Sequence, residues 1–434
     1  MKASSDPRHP NGEARPSVLI RNVRILDPAA GADGVGCVGL RAGTIDFRGV
    51  RPPRAAYDET VDGKGLWLMP GAVDLCARMR EPGHVHKATM QSESAAAAAA
   101  GIAAVCVPPD TRPVIDNAAV VNRVNRIAKA AGGTYVYMLG ALTRGLEGQA
   151  LSEMSALKQA GCVGVSNGLA PMANPLIARR ALEYASSLGL TVHVVPLEAS
   201  LANGGCAHEG AVATKLGLAP IPVAAEAMAM RQWISLVEDT GARVHFGRLS
   251  SARGVALLES ALARGLPVSA DVAAHQLFLT DADIDGFDAM AHVLPPLREA
   301  ADRDALRAAV ASGVIAAICS DHQPHEADAK IDPFPLTEPG ISALETLLPL
   351  GLRLVHEKLL TPLQLAARLA QAPAAILGIR SGALQAGAAA DLVLVDPQLR
   401  WRLDPAALLS RGRNTPFAGA AFSGRALRSF PGVR

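Results

Sequence analysis

The sequence predicts an α/β fold: a (β/α)8 barrel with a small β-sandwich domain assembled from both chain ends. Three observations carry this. Between residues 71 and 378, short β-branched apolar runs alternate with alanine-rich helical stretches, and strand–helix repetition means parallel strands joined by crossover helices. About eight such units over roughly 300 residues match the size of one closed barrel. Outside those limits the texture changes to short strands punctuated by Gly and Pro.

Residues 1–16 are rich in Pro, Ser and charge and lack an apolar stretch, so they read as a flexible arm and not as a signal peptide. Ser17–Leu26 alternates like a strand, and Asp27-Pro28 ends it. The barrel strands are predicted at Val73–Leu75, Ala103–Val107, Tyr135–Leu139, Val163–Val165, Leu190–Val194, Arg243–Phe246, Pro267–Asp271 and Val314–Ser320. Helical patterns fall between them, among them Ala95–Ala100, Ala118–Ala131, Ala252–Arg264 and Arg303–Ser312. Beyond Gly378 the helical texture fades and Ala390–Pro397 is again a strand, so segments 17–70 and 379–434 are expected to pair beside the barrel.

Composition excludes several classes. Hydrophobic residues make up 50% and charged residues 19% of the chain, enough apolar material for a large core and too much for wholesale disorder. Lys+Arg 42 against Asp+Glu 40 leaves a net charge of +2, without the basic surplus that nucleic acid or a membrane surface demands. Aromatics at 3% offer no stacking platform for single strands. Six scattered cysteines form no C-x-x-C pair, which favours a reduced, cytoplasmic setting over a disulfide framework. The uncharged run Ser94–Pro109 is alanine-rich and ends in Pro-Pro, which suits a buried helix and strand better than a membrane span.

Barrel enzymes place reactive groups at the C-terminal ends of strands. The first strand ends in Cys76-Ala77-Arg78, two residues on one face at a spacing that suits two ligands of one metal. A thiol can bind zinc, whereas a guanidinium has no lone pair to give. The last strand leads into Asp321-His322-Gln323-Pro324-His325, a cluster that on residue type alone suggests a metal or acid–base site.

These residues carry a resemblance to the dihydroorotases of the amidohydrolase superfamily, running from Val18 to Gly424. The matching pieces are Met69-Pro70-Gly71-x-x-Asp74, Arg80-Glu81-Pro82-Gly83, Pro113-Val114-Ile115-Asp116-Asn117, His208-Glu209-Gly210, Pro295-Pro296-Leu297-Arg298, Ser320-Asp321-His322-x-Pro324-His325, Ala390-Asp391-Leu392-Val393 and Asn414-Thr415-Pro416-Phe417. The resemblance implies a binuclear zinc site, and this chain departs from it. Where the family has His-x-His, this chain has Cys76 and Arg78; Pro196 and Arg248 stand at two further histidine positions, and Asn167 stands near the bridging acidic residue. Asp321 alone survives of the metal set, as a vestigial catalytic residue.

Of the substrate-like pocket that the resemblance implies, Arg80, His325 and Arg298 remain, but Asp110 replaces the family's Asn. A carboxylate about 4 Å from a substrate carboxylate would cost on the order of 4 kcal/mol at an effective dielectric near 20. No cofactor is therefore expected, and Arg78 or Arg248 is expected to neutralise Asp321, since a buried carboxylate needs a counter-charge. His322 and His325 then read as hydrogen-bonded loop histidines and Cys76 as an inert buried thiol. The resemblance extends to inactive dihydroorotase-like subunits that assemble with aspartate transcarbamoylase, which implies that enzyme's catalytic subunit as partner, with homo-oligomerisation a further possibility. The alternative is an active, zinc-dependent cyclic amidohydrolase with a degenerate site built from Asp321, His322 and Cys76.

Overall fold

The computed structural model describes residues 16–172, 174–381 and 383–433. The expected N-terminal arm, Pro16 apart, lies outside them.

Both ends of the chain build one sheet. From the first end come β1 (Val18–Asp27), β2 (Ala32–Arg41), β3 (Thr44–Gly49), β4 (Glu59–Asp62) and β5 (Trp67–Pro70). The barrel then runs through β6 (Ala72–Asp74), β7 (Ile102–Val107), β8 (Tyr135–Ala141), β9 (Gly164–Ser166) and β10 (Thr191–Val194). A two-stranded excursion, β11 (Ala207–His208) and β12 (Pro220–Ile221), precedes β13 (Val244–Phe246), β14 (Val268–Ala273) and β15 (Ala317–Cys319). The chain returns to the first sheet with β16 (Leu392–Arg402) and β17 (Ala421–Phe430).

The barrel strands follow one another in the order β6-β7-β8-β9-β10-β13-β14-β15, with every neighbouring pair parallel. A parallel bridge between Ala77 and His322 joins the extension of β6 to that of β15 and nearly closes the ring. There the Arg78 amide donates to the His322 carbonyl at 2.9 Å. Alternation sorts the side chains onto two faces. Val105, Val107, Val192, Val194, Val244 and Phe246 pack outward into the cluster shared with the helices. Ala104, Cys106, Leu139, Ala273, Ala317 and Cys319 form a separate cluster of smaller side chains.

Helix α1 (Met90–Ala99) opens on a capping box, with Thr89 accepting from the Ser92 amide. Its alanines leave no bulk to hold the helix off the barrel, and Ala96 and Ala97 are fully buried. The predicted helix at Ala118–Ala131 is observed with those bounds, capped by Asn117. The last barrel strand is shorter than its apolar run suggested, because Val314–Ala316 lead into it outside the ladder.

Where a sandwich was anticipated, the terminal strands form a single mixed sheet of order β17-β16-β5-β1-β2-β3, with β4 also paired to β1. One edge of β1 carries β4 along Val18–Arg21 and β5 along Arg24–Ile25, so no second layer is needed to place them. The antiparallel pairing of β16 with β5 ties the two chain ends together. No helix of the described residues is long and apolar enough to cross a membrane.

Candidate functional site

The mouth of the barrel holds a chain of alternating charge. Asp321, one residue beyond the Ser320 that follows β15, accepts from Arg248 Nη1 at 2.8 Å. Arg78 Nη1 lies 3.5 Å from the same carboxylate oxygen, and its Nε donates to Asp110 at 2.8 Å. Gln323 Nε2 donates to the other oxygen of Asp321 at 3.3 Å, and the Cys76 thiol approaches Oδ1 at 3.5 Å. Arg78, Arg248 and Asp321 are buried; Asp110 is partly exposed. Both expected guanidinium groups therefore face Asp321, with Arg248 the closer.

Local backbone geometry aims these groups inward. Arg80, Arg248 and Asp321 all have φ in the left-handed region, at 62°, 60° and 48°. That conformation is uncommon for residues with a Cβ and tends to persist where surrounding structure over-determines it. For Arg248 the restraint is visible: its amide donates to Asp271 Oδ1 at 2.7 Å, while Asp271 Oδ2 pairs with His245 Nε2 at 2.9 Å. Beneath Asp321, Asp74 receives the amide of Ser320 at 2.9 Å and also its hydroxyl.

Burial penalises the Asp321 carboxylate, but the charges of Arg248 and Arg78 outweigh it and hold the group below the usual carboxylate range. Burial likewise works against the Arg248 cation, yet neighbouring acidic groups, Asp321 foremost among the carboxylates, raise its pKa. Burial pushes the Cys76 thiol up to about 12, so without a bound metal it is a neutral thiol at neutral pH and not a nucleophile.

Zinc takes thiolate, imidazole or carboxylate donors. At the mouth, one carboxylate oxygen is bonded by guanidinium and the other by an amide. His322, the third member of the alternative ligand set, turns away. Its Nε2 lies 2.8 Å from Glu93 of α1, and its Nδ1 accepts from the Ala343 amide at 3.0 Å. Among the described residues no group of three or more His, Cys, Asp or Glu is arranged to hold a metal ion. These residues do not fit a zinc centre.

The remaining predicted pocket residues divide. Arg80 and His325 meet, Nη2 to Nε2 at 3.0 Å, but Arg80 also donates to the Pro324 carbonyl at 2.9 Å and Lys87 Nζ reaches His325 Nδ1 at 3.1 Å. Burial, with Arg80 and Lys87 beside it, drives the His325 imidazole down to about 2, so it is neutral. Arg298 does not join them, contrary to the grouping anticipated from sequence. It is buried elsewhere, with Nη1 bonded to the Ile221 carbonyl at 2.7 Å and to His208 Nδ1 at 3.0 Å, and Nε to Ser250 at 3.2 Å. The returning β11–β12 excursion thus captures a guanidinium that the Pro-Pro-Leu-Arg motif alone could not place. Asn167 anchors its own loop through Thr143 Oγ1 at 2.7 Å and the Ala170 and Leu146 carbonyls, and Pro196 is buried just past β10.

Sequence reasoning passed over Glu93, Lys87, Asp271 and His245. Asp271 closes a predicted strand, and an acid at a barrel strand's end was a usable signal; Glu93 in an alanine run and Lys87 in a loop gave none.

Residues 67–427 match the model of the amidohydrolase family. The chain belongs to that family. It is 49% identical over 409 residues to the "Dihydroorotase-like protein" of Pseudomonas aeruginosa, covering 94% of this chain and 96% of the relative. To the "Dihydroorotase" of Anaeromyxobacter dehalogenans it is 42% identical, over 96% and 97% of the two chains. It is thus a dihydroorotase-like amidohydrolase. Among solved structures, the L-hydantoinase of Arthrobacter aurescens superposes with a TM-score of 0.86 at 21% identity, over 97% of this chain and 98% of that one, a likeness of fold.

Proposed function

We propose that this dihydroorotase-like chain is non-catalytic and serves as a cytoplasmic assembly subunit for the catalytic chains of aspartate transcarbamoylase in pyrimidine synthesis. The observation that carries the reading is the 2.8 Å pair between Arg248 and Asp321, with Arg78 bridging onward to Asp110. Opening a cyclic amide in neutral water takes a polarised carbonyl and a nucleophile made from water, and a bound metal supplies both. A guanidinium could share the first task but cannot generate hydroxide. Asp321 is a poor substitute base, because its lowered pKa weakens its hold on a proton. Cys76, Arg78, Asn167, Pro196 and Arg248 are read as replaced metal-ligand positions, and Arg80 and His325 as remnants of a substrate grip now bonded to one another.

The fold supports the other half of the proposal: a chain that keeps a complete core while its mouth is filled by ion pairs offers surface in place of chemistry. The test is to purify the chain, measure bound zinc and dihydroorotate turnover, and then ask whether the host's aspartate transcarbamoylase co-assembles with it. No stoichiometric zinc, no turnover and a joint complex are expected. Near-equimolar zinc with turnover would return the chain to the active cyclic amidohydrolases.

A further inference from the structure

Two loops at the mouth carry a surface that the core does not explain. One follows β14 and spans residues 281–292; the other follows Asp321 and spans residues 326–339. Lys330 ties them together, its buried ammonium donating to the Ala289 carbonyl at 3.0 Å and to the Glu338 carbonyl at 2.6 Å. Below, Phe334 packs on His292 with ring centroids 4.6 Å apart, and His292 Nδ1 lies 2.7 Å from Thr337 Oγ1. Ile284, Val293, Leu297, Phe334 and Ile341 belong to one buried cluster. The two loops are thus a single braced ridge.

Large apolar side chains are exposed on both loops. Ile331 is 75% exposed, Leu336 71% and Phe287 49%. Ile331 and Leu336 are, after Val50, the most exposed large apolar side chains of the described residues. Pro333 and Pro335 are exposed between them. Large apolar groups gathered at a surface and rimmed by charge mark an interaction site more often than a random scatter does.

The rim has one sign. Asp283, Asp285, Asp288, Asp328, Asp332 and Glu338 are all exposed on these loops, while Lys330, their own cation, is buried beneath. Lys215 pairs with Asp285 and Lys87 with Glu338, and the other four acids have no salt bridge among the described residues. The whole chain, by contrast, has a net charge of +2, so the acidity is local.

We infer that the ridge formed by residues 281–292 and 326–339 is a docking surface for a protein partner that presents lysine or arginine side chains around an apolar centre. The inference rests on the assembly role proposed above and names the surface that would serve it. Charge complementarity argues for the occupant: an acidic rim repels a second acidic rim and therefore disfavours a symmetric pairing of two ridges. The loops follow β14 and β15, the second of them beginning five residues after Asp321.

The test compares the wild-type chain, the double variant Ile331→Asp/Leu336→Asp, the charge variant Asp288→Lys/Asp332→Lys and the control Val50→Asp, all checked for unchanged thermal midpoints. Each is mixed with the host's aspartate transcarbamoylase catalytic chains, and complex size is read by sedimentation at low and high salt. Each is also expressed in the host, and native complex size is read there. Wild type and Val50→Asp should assemble, the double variant should bind at least about tenfold more weakly, and the charge variant should lose affinity together with its salt dependence. A double variant that assembles like wild type overturns the ridge and leaves the assembly role standing. If the wild type ignores the transcarbamoylase yet enters another host complex that the double variant leaves, the ridge stands and the partner assignment falls. A self-assembly lost in the double variant assigns the ridge to a second copy and overturns the inference; a wild-type chain monomeric in every setting overturns both.

Discussion

Asp321 and His322 are neighbours in one loop, and their surroundings differ sharply. Asp321 faces the mouth, where guanidinium groups from Arg248 and Arg78 stand at 2.8 and 3.5 Å. His322 faces outward to α1, where it holds the fully buried Glu93 at 2.8 Å. Around it the loop is pinned by further conventional bonds. Asn414 accepts from the His325 amide at 2.9 Å and donates to the Gln323 and Gly340 carbonyls at 2.9 Å. Gly340, at φ +135°, passes so close that an added Cβ would sit 2.4 Å from that of Gln323. The outer side is a scaffold whose bonds do not depend on what fills the mouth. On the inner side, cations of the chain face the Asp321 carboxylate.

The sharpest way to break this contrast is on the outer side. Glu93→Ala strips His322 and the Arg411 amide of a buried acceptor, and the expected loss is about 4 kcal/mol, read by denaturant unfolding. Acid should act on the same pair. Burial opposes the Glu93 carboxylate, but its bond to His322 wins and lowers its pKa from 4.5 to about 2. The unfolded chain then binds the proton more readily. This contribution is complete above pH 4.5 and is lost as pH falls toward 2. It amounts to roughly 3 kcal/mol, and Glu93→Gln should flatten that part of the stability profile.

On the inner side the effects are expected to be smaller, because each group has a second partner. Arg248→Met leaves Asp321 with Arg78 alone, for an expected cost of about 2–3 kcal/mol by the same unfolding measurement. Arg78→Met should cost about 1 kcal/mol, since Asp110 is partly exposed and water can take the place of the guanidinium. A reversed order, with Arg78 outweighing Arg248, would show that Arg78 and not Arg248 is the main counter-charge of Asp321.

The barrel was legible because strand and helix periodicities differ and repeat; the observed strands fall on the predicted apolar runs. The pairing of guanidinium with Asp321 was legible too, since Arg78 and Arg248 occupy strand ends where side chains turn inward. Less was visible where a residue's partner is remote in sequence. Glu93 and His322 are 229 positions apart, and no local pattern announces such a pair. Arg298 misled because a motif reports residue type and order, while the carbonyl of Ile221 that receives its guanidinium belongs to an excursion 77 positions upstream.

The amino-acid order alone determined the fold class, the pairing of the two chain ends and the absence of imidazoles at the first strand's end, because these follow from periodicity and residue chemistry. Only the tertiary structure decided which cation sits closest to Asp321, where Arg298 goes, that the terminal strands form one sheet, and that Ile331 and Leu336 are left exposed. Those outcomes depend on distances between segments far apart in the chain, and such distances exist only once the barrel has closed.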